Sequence, residues 1–272
     1  MDDRPLHVVG PKWMSADLGG VHDYGFDVPD RPTDFWCSGA HYASLRASNF
    51  NVRFSTPGGM IPLVDSPWRT GVTVSSLADV LDRPPATPVF SKLNDLKLTS
   101  FIARVRTPDE LVRDLEDIAA SMLIRRAESL PIALAPPLDL SGAMEVRCFV
   151  LDARMVSACP YSDGRGDMGR GLDHLLDTEV ETDLARLVES FACRTLHLPR
   201  AFVIDFACIG GRWMPLETNP ASSSSWYCDC PSAEVSRAIR VGQHDGPIYE
   251  WADPIRHLTS LPLLSHRLAG RP

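Results

Sequence analysis

The sequence predicts an α+β protein preceded by a small α/β N-terminal domain. Three observations lead there. Two segments, Met144 to Tyr161 and Ala201 to Thr218, read as β-hairpins. Two helices open with capping-box signatures, Thr107-Pro-Asp-Glu110 and Asp177-Thr178-Glu-Val-Glu181. A proline-dense stretch, Asp82-Arg-Pro-Pro-Ala-Thr-Pro88, cannot continue a helix and marks a linker.

Residues 1–86 are irregular and rich in Gly, Pro and Asp, with short apolar runs at Leu6-His-Val-Val9 and Asp34-Phe-Trp-Cys37. They are expected to form the N-terminal domain, with 87–272 as the main one. Val89 to Lys92 and Phe101 to Val105 read as strands. Pro108 then takes the first helical position, and Leu111, Leu115, Ile118 and Met122 fall on one face. Pro131 to Ala135 reads as a strand running into Pro136-Pro137. The first hairpin turns at Asp152-Ala153. In the second helix Val180, Leu184, Leu187, Val188, Phe191 and Leu196 form an apolar stripe facing the core. The second hairpin turns at Gly210-Gly211, and Ser232 to Val241 reads as a final helix.

The chain has 272 residues and 30.0 kDa, with 44% hydrophobic and 23% charged residues. That composition excludes a disordered tail or a fibre. No apolar window approaches a membrane span, and Met1-Asp-Asp-Arg-Pro5 lacks a basic region leading into an apolar one. A cytoplasmic protein without membrane contact is expected. The net charge of -8 and pI near 5.5 argue against nucleic acid as a partner. Seven scattered cysteines in a chain of this kind are expected to be reduced thiols, and Cys228-Asp-Cys230 lacks the spacing of a zinc knuckle. Arginine outnumbers lysine 24 to three. Two of the three, Lys92 and Lys97, lie five positions apart; in a chain that otherwise uses arginine they mark a place that needs a compact ammonium rather than a planar fork, a pointer to a phosphate or carboxylate site.

The second hairpin carries the strongest chemical signal. Asp205 interrupts the apolar run Ala201-Phe-Val-Ile-Asp-Phe-Ala207, and Glu217 ends the returning strand before Thr218-Asn219-Pro220. A carboxylate inside such a run is costly unless it is paired, hydrogen-bonded or bound to a cation. A strict two-residue turn at Gly210-Gly211 would set Asp205 opposite Leu216 and send Glu217 to the other face. A three-residue loop, Gly210-Gly211-Arg212, pairs Ile209 with Trp213 and Asp205 with Glu217, so the longer, bulged loop is expected. Two facing carboxylates and the amide oxygen of Asn219 suit a magnesium ion that keeps waters and bridges phosphates. The competing readings are an aspartate paired with an arginine and a general-acid pair of the glycosidase kind. Phosphate chemistry would use both the metal and the two lysines.

In order along the chain, these features resemble the ATP-grasp superfamily of carboxylate-amine ligases. Glu145-Val-Arg147-Cys-Phe-Val150, Ala158-Cys-Pro160-Tyr161 and Asn219-Pro-Ala-Ser-Ser-Ser-Ser-Trp226-Tyr-Cys-Asp-Cys-Pro231 resemble its small bacterial clade named for two arginines and one lysine. The resemblance covers residues from near 86 to near 240. It implies an ATP-grasp fold, two α+β subdomains gripping ATP, with 87–138 clamping the nucleotide and 139–272 binding metal. Lys92 would contact the phosphates, with Lys97 as a second phosphate or lid contact. Backbone groups of Ala135, Pro136, Pro137 and Leu138 would meet adenine, and Glu145 the ribose hydroxyls. Arg147 would face the γ-phosphate and the acyl phosphate, unless it simply pairs with Asp205 or Glu217. Asp205, Glu217 and Asn219 would hold magnesium.

The activity implied is ATP-dependent, ADP-forming amide synthesis from a carboxylate and an amine, small molecules or peptides, in specialised metabolism or peptide modification. Oligomeric state is open, with a homodimer supported only on the general grounds that apply to cytoplasmic enzymes. Two departures stand out: Leu93 to Ser100 has no glycine for a phosphate lid, and Ser222 to Ser225 with Cys228 replace positions often glycine in the clade. The missing lid glycines motivate the reading of a non-catalytic nucleotide-binding or interaction module, while a small-molecule kinase would keep the same ATP site and transfer phosphate to a hydroxyl. Tyr161 to Gly171, rich in Gly and Arg, reads equally as a substrate loop or a solvated connector. His174 and His244 read as surface residues.

Overall fold

The structure, a computed structural model, describes residues 5–9, 16–23, 34–37, 57–94, 101–120, 127–228 and 232–244. Met122, Lys97 and Cys230 lie outside these residues. The chain parts into two units, one of residues 1–41, 52–57 and 139–249, the other of 42–51, 58–138 and 250–272.

The first unit holds two sheets. Strands β1 (Leu6–Val9), β2 (Val21–Asp23) and β3 (Asp34–Cys37) form a parallel sheet in the order β2-β1-β3. Strands β8 (Glu145–Leu151), β9 (Arg154–Ser162), β10 (Ala201–Ile209) and β11 (Arg212–Asn219) form an antiparallel sheet in the order β11-β10-β8-β9. Here the strands follow the sequence reading within a residue or two, because their apolar runs are long and end at turn residues. Asp152 and Ala153, with φ of +51° and +63°, make the first turn. The long helix between the hairpins (Thr178–Arg194) is capped by Asp177, whose carboxylate accepts the Val180 N–H at 2.9 Å. Leu184, Val188 and Phe191 are buried as expected, but Leu196 lies beyond the helix end and is 80% exposed. The last helix (Ala233–His244) packs on β8, β9, β10 and β3. Leu6, Val8 and Trp36 of the N-terminal strands share one core with Phe149, Val203, Trp226 and Ile239.

The second unit is built on an antiparallel sheet in the order β4-β7-β5-β6: β4 (Thr73–Ser76), β5 (Val89–Leu93), β6 (Arg104–Arg106) and β7 (Pro131–Ala135). Because β4 pairs with β7, residues 58–86 belong with 87–138, while the strands before residue 41 belong with 139–249. The four residues of β4 cannot bury a sheet face alone, so β4 joins the sheet of β7 and β5. The helix Pro108–Ala120 starts as the sequence predicts: Glu110 accepts the Thr107 N–H at 2.8 Å, and Thr107 Oγ1 accepts the Glu110 N–H at 3.3 Å. The strand expected over Phe101 to Val105 is displaced to Arg104–Arg106. Arg106 is only 1% exposed. Its guanidinium bonds Asp114 at 2.8 Å and Ser91 Oγ at 2.9 Å and lies 3.8 Å from the Phe101 ring centroid. That set of partners outweighs the apolar preference of a buried strand position.

Candidate functional site

In the first unit, cross-strand pairing sets a row of residues across the sheet: Glu217 opposite Asp205, Asp205 opposite Arg147, and Arg147 opposite Cys159. Directly paired residues share a face of the sheet, so both carboxylates and the guanidinium meet there. The facing of Asp205 and Glu217 follows the sequence reading, but the device does not. The turn is the strict two-residue one, with Gly210 and Gly211 at φ of +57° and +74° and Ile209 opposite Arg212. The extra residue sits further along, where Asp205 faces Glu217 while Phe206 faces Pro215, leaving Leu216 bulged out. Proline has no N–H for the ladder, so a bulge beside Pro215 on an edge strand costs little.

Arg147 grips Asp205 with a two-pronged fork, Nε to Oδ1 and Nη2 to Oδ2, both 2.8 Å. Its Nη1 donates to the Ser225 carbonyl at 3.4 Å, and its guanidinium carbon lies 5.5 and 5.3 Å from the Tyr161 and Tyr227 ring centroids. Burial alone would lower the affinity of Arg147 for its proton, but the Asp205 charge and hydrogen bonds outweigh it and raise its pKa further. Asp205 is 1% exposed. Asn219 closes the arrangement, its Nδ2 donating to Asp205 Oδ2 at 3.1 Å and Glu217 Oε1 at 3.0 Å. Both carboxylates thus aim an oxygen at one atom, and turning the Asn219 amide over would bring its own oxygen to that point. The donor set of two carboxylates and an amide oxygen fits a hard divalent cation that keeps several waters. Among the described residues no cluster of three or more His, Cys, Asp or Glu side chains forms a metal cage.

Glu145, two positions before Arg147 on β8, accepts a hydrogen bond from the Tyr161 hydroxyl at 2.7 Å. Its carboxyl is pushed above its ordinary range by burial; the Tyr161 bond opposes that shift and the charges of Asp205 and Glu217 add to it. Tyr161 and Tyr227 stack, 5.4 Å between ring centroids. The sequence carried a sign of this in Pro160 and Pro215, prolines inside strands, which mark edges and bulges and so re-aimed side chains.

The expectation of seven reduced thiols is overturned at one pair: Cys159 and Cys228 form a disulfide, 5.2 Å between Cα atoms and 69 positions apart in sequence. Their proximity comes from the fold, which seats the segment after Pro220 on β9, and spacing along the chain cannot show it. The serine run is drawn inward, with Ser222 and Ser224 buried. The loop after Tyr161 is tied down as well: Arg170 bonds Asp17 at 2.8 Å and the Cys228 carbonyl at 2.9 Å, and Asp163 accepts the backbone N–H groups of Arg165, Gly166 and Asp167. His174 is exposed, and His244 bonds the buried Asp34 at 2.7 Å.

In the second unit, Lys92 is buried on β5, opposite Ala133. Ala135 ends β7 and is buried, whereas Pro136 and Pro137 are exposed and Leu138 half-buried. Two residues without N–H groups end the ladder there.

Residues 66–239 match the model of an ATP-grasp domain family, the third of the clade named for two arginines and one lysine, and the chain belongs to that family. Its fold is accordingly the ATP-grasp fold of the α+β class. No curated protein matches it. Among solved structures it is similar to C-terminally truncated Cdc123 from Schizosaccharomyces pombe, at 16% identity and TM-score 0.37, covering 57% of this chain and 79% of that one. It is similar to the ATP-grasp ligase PsnB complexed with minimal precursor, Mg and ADP, at 15% identity and TM-score 0.39, covering 78% and 62%. The D-alanine-D-alanine ligase from Coxiella burnetii gives 13%, 0.40, 87% and 66%. The chain thus spans under two thirds of the PsnB chain and about two thirds of the last.

Proposed function

We propose that the protein is an ATP-dependent, ADP-forming ligase that activates a carboxylate as an acyl phosphate and joins it to an amine of an amino acid or peptide. The observation that carries this reading is the convergence of Asp205, Glu217 and Asn219 beside Arg147, in a chain of the ATP-grasp family. Phosphoryl transfer asks a protein chiefly for positioning and charge neutralisation, and this face supplies both.

Asp205, Glu217 and Asn219 would hold magnesium, which when bound would neutralise charge on the phosphates. Arg147, locked by Asp205 and flanked by two tyrosines, would present a fixed positive charge to the γ-phosphate and the acyl phosphate. Glu145 would accept the ribose hydroxyls. Lys92 and Lys97 would contact phosphate, and the backbone from Ala135 to Leu138 would meet adenine. A substrate carboxylate oxygen forms its bond to the γ-phosphorus as the bond to ADP breaks. The amine nitrogen then bonds the acyl carbon, phosphate leaves, and the amine gives up its proton.

Calorimetric titration with ATP or a non-hydrolysable analogue, with and without magnesium, tests the reading on the wild type and Asp205→Asn. Binding that needs magnesium and is lost in the variant is the expected result. A wild type that binds no nucleotide under either condition overturns it. ADP release that rises only when an amine is added separates the ligase from a kinase, which would make a phosphorylated product without amine.

A further inference from the structure

Tyr161 reaches Glu145 by an irregularity of the sheet. Along β8 and β9, Val146 faces Pro160 while Glu145 faces Ser162, so Tyr161 is the extra residue of a bulge. Bulges re-aim side chains and gather beside active sites, and here Pro160, lacking an N–H, sits at the point where the ladder breaks. The re-aimed phenol donates to Glu145 Oε2 at 2.7 Å. The ring is fixed from its other side by stacking on Tyr227, 5.4 Å away with planes 29° apart. Burial, with the neighbouring acidic groups, pushes the Tyr161 hydroxyl well above its ordinary pKa, so it stays protonated and remains a donor.

A glutamate at the end of a strand has three side-chain torsions to lose before its carboxylate can serve as an acceptor. One strong donor on a ring that cannot swing removes much of that freedom in advance. The carboxylate accepts up to about four hydrogen bonds, so those from Tyr161 and Ser162 leave capacity for two more from a diol.

We propose that Tyr161 is a positioning residue for nucleotide recognition: it holds the Glu145 carboxylate in the orientation that accepts the two ribose hydroxyls, without touching the nucleotide itself. This rests on the ATP reading above and names a selectivity device within it. The substrate feature it recognises is the ribose diol of a nucleoside triphosphate.

The test is calorimetry on the full chain with magnesium, comparing ATP with 2′,3′-dideoxy-ATP, for the wild type, Tyr161→Phe and Glu145→Gln. Tyr161→Phe keeps the ring, its stack on Tyr227 and its contact with Arg147, and removes one hydroxyl. The wild type is expected to prefer ATP, and Tyr161→Phe to lose about tenfold in ATP affinity while its dideoxy-ATP affinity is unchanged. Glu145→Gln should erase the same preference, and the double variant should lose no more than Glu145→Gln alone. A merely structural role would weaken both nucleotides together, so equal losses, or an undiminished preference for ATP in Tyr161→Phe, overturn the proposal. A wild type that binds both nucleotides equally also overturns it while leaving ATP binding intact. A wild type that binds neither overturns the ATP reading itself and this inference with it.

Discussion

Arg147 and Asp205 are buried together, and each makes the burial of the other tolerable. Removing one partner leaves an uncompensated charge, so Arg147→Ala is expected to destabilise the fold by roughly 3–5 kcal/mol, read by denaturant unfolding. A lysine keeps the charge but loses the fork, and Arg147→Lys should recover only part of the loss. Glu145 offers a second residue-level test. Its folded pKa is raised above the ordinary 4.5, so the folded state binds more protons between the two values. The stability this contributes is fully present below about 4.5 and is lost as pH rises through the folded value. Glu145→Gln, which stays neutral, should therefore gain in unfolding midpoint relative to the wild type as pH rises from about 4 to about 7. A constant difference between the two proteins would contradict that. At this scale the residue types of the site are legible in the sequence, since a carboxylate inside an apolar strand demands a partner. That Arg147 is this partner is one of several readings the sequence leaves open, because it depends on which strand lies beside β10.

Hairpins and caps are the elements the sequence describes best. The capping box at Thr107 forms where expected, and the second helix is capped by Asp177, one residue ahead of the Thr178 that opens its capping-box pattern; such bonds join residues three positions apart and need no tertiary contact. Thr107→Ala should cost about 1 kcal/mol, measured in urea. The turn at Asp152-Ala153 places two non-glycine residues at positive φ, and Ala153 has no polar side chain to ease the strain. Ala153→Gly is expected to stabilise the protein by about 0.5–1 kcal/mol, the left-handed penalty of an alanine less the greater chain entropy of glycine. The second hairpin shows what local rules miss. By those rules a three-residue loop at the two glycines brings Asp205 opposite Glu217, yet the glycines form the ordinary two-residue turn, and a bulge at Leu216 corrects the register instead. Turn length and bulge position trade against each other, and a sequence constrains only their sum.

For the whole molecule, the disulfide is the feature with the largest consequence for handling the protein. Alkylation before and after reduction should show that Cys159 and Cys228 react only after reduction, in peptides linked until then. Recovery of both as free thiols from freshly purified protein would contradict the structure. A bridge closing 69 positions constrains the unfolded chain strongly, and its reduction should cost about 2–4 kcal/mol. Strands, helix starts, the carboxylates and family membership follow from apolar periodicity, capping chemistry and the order of short motifs, all of which act over a few residues. The Cys159–Cys228 bridge, the grouping of residues 58–86 with β5 and β7, and the tyrosine pair around Arg147 do not follow from them. Each joins segments far apart in the chain, and only the pairing of strands brings such segments within reach.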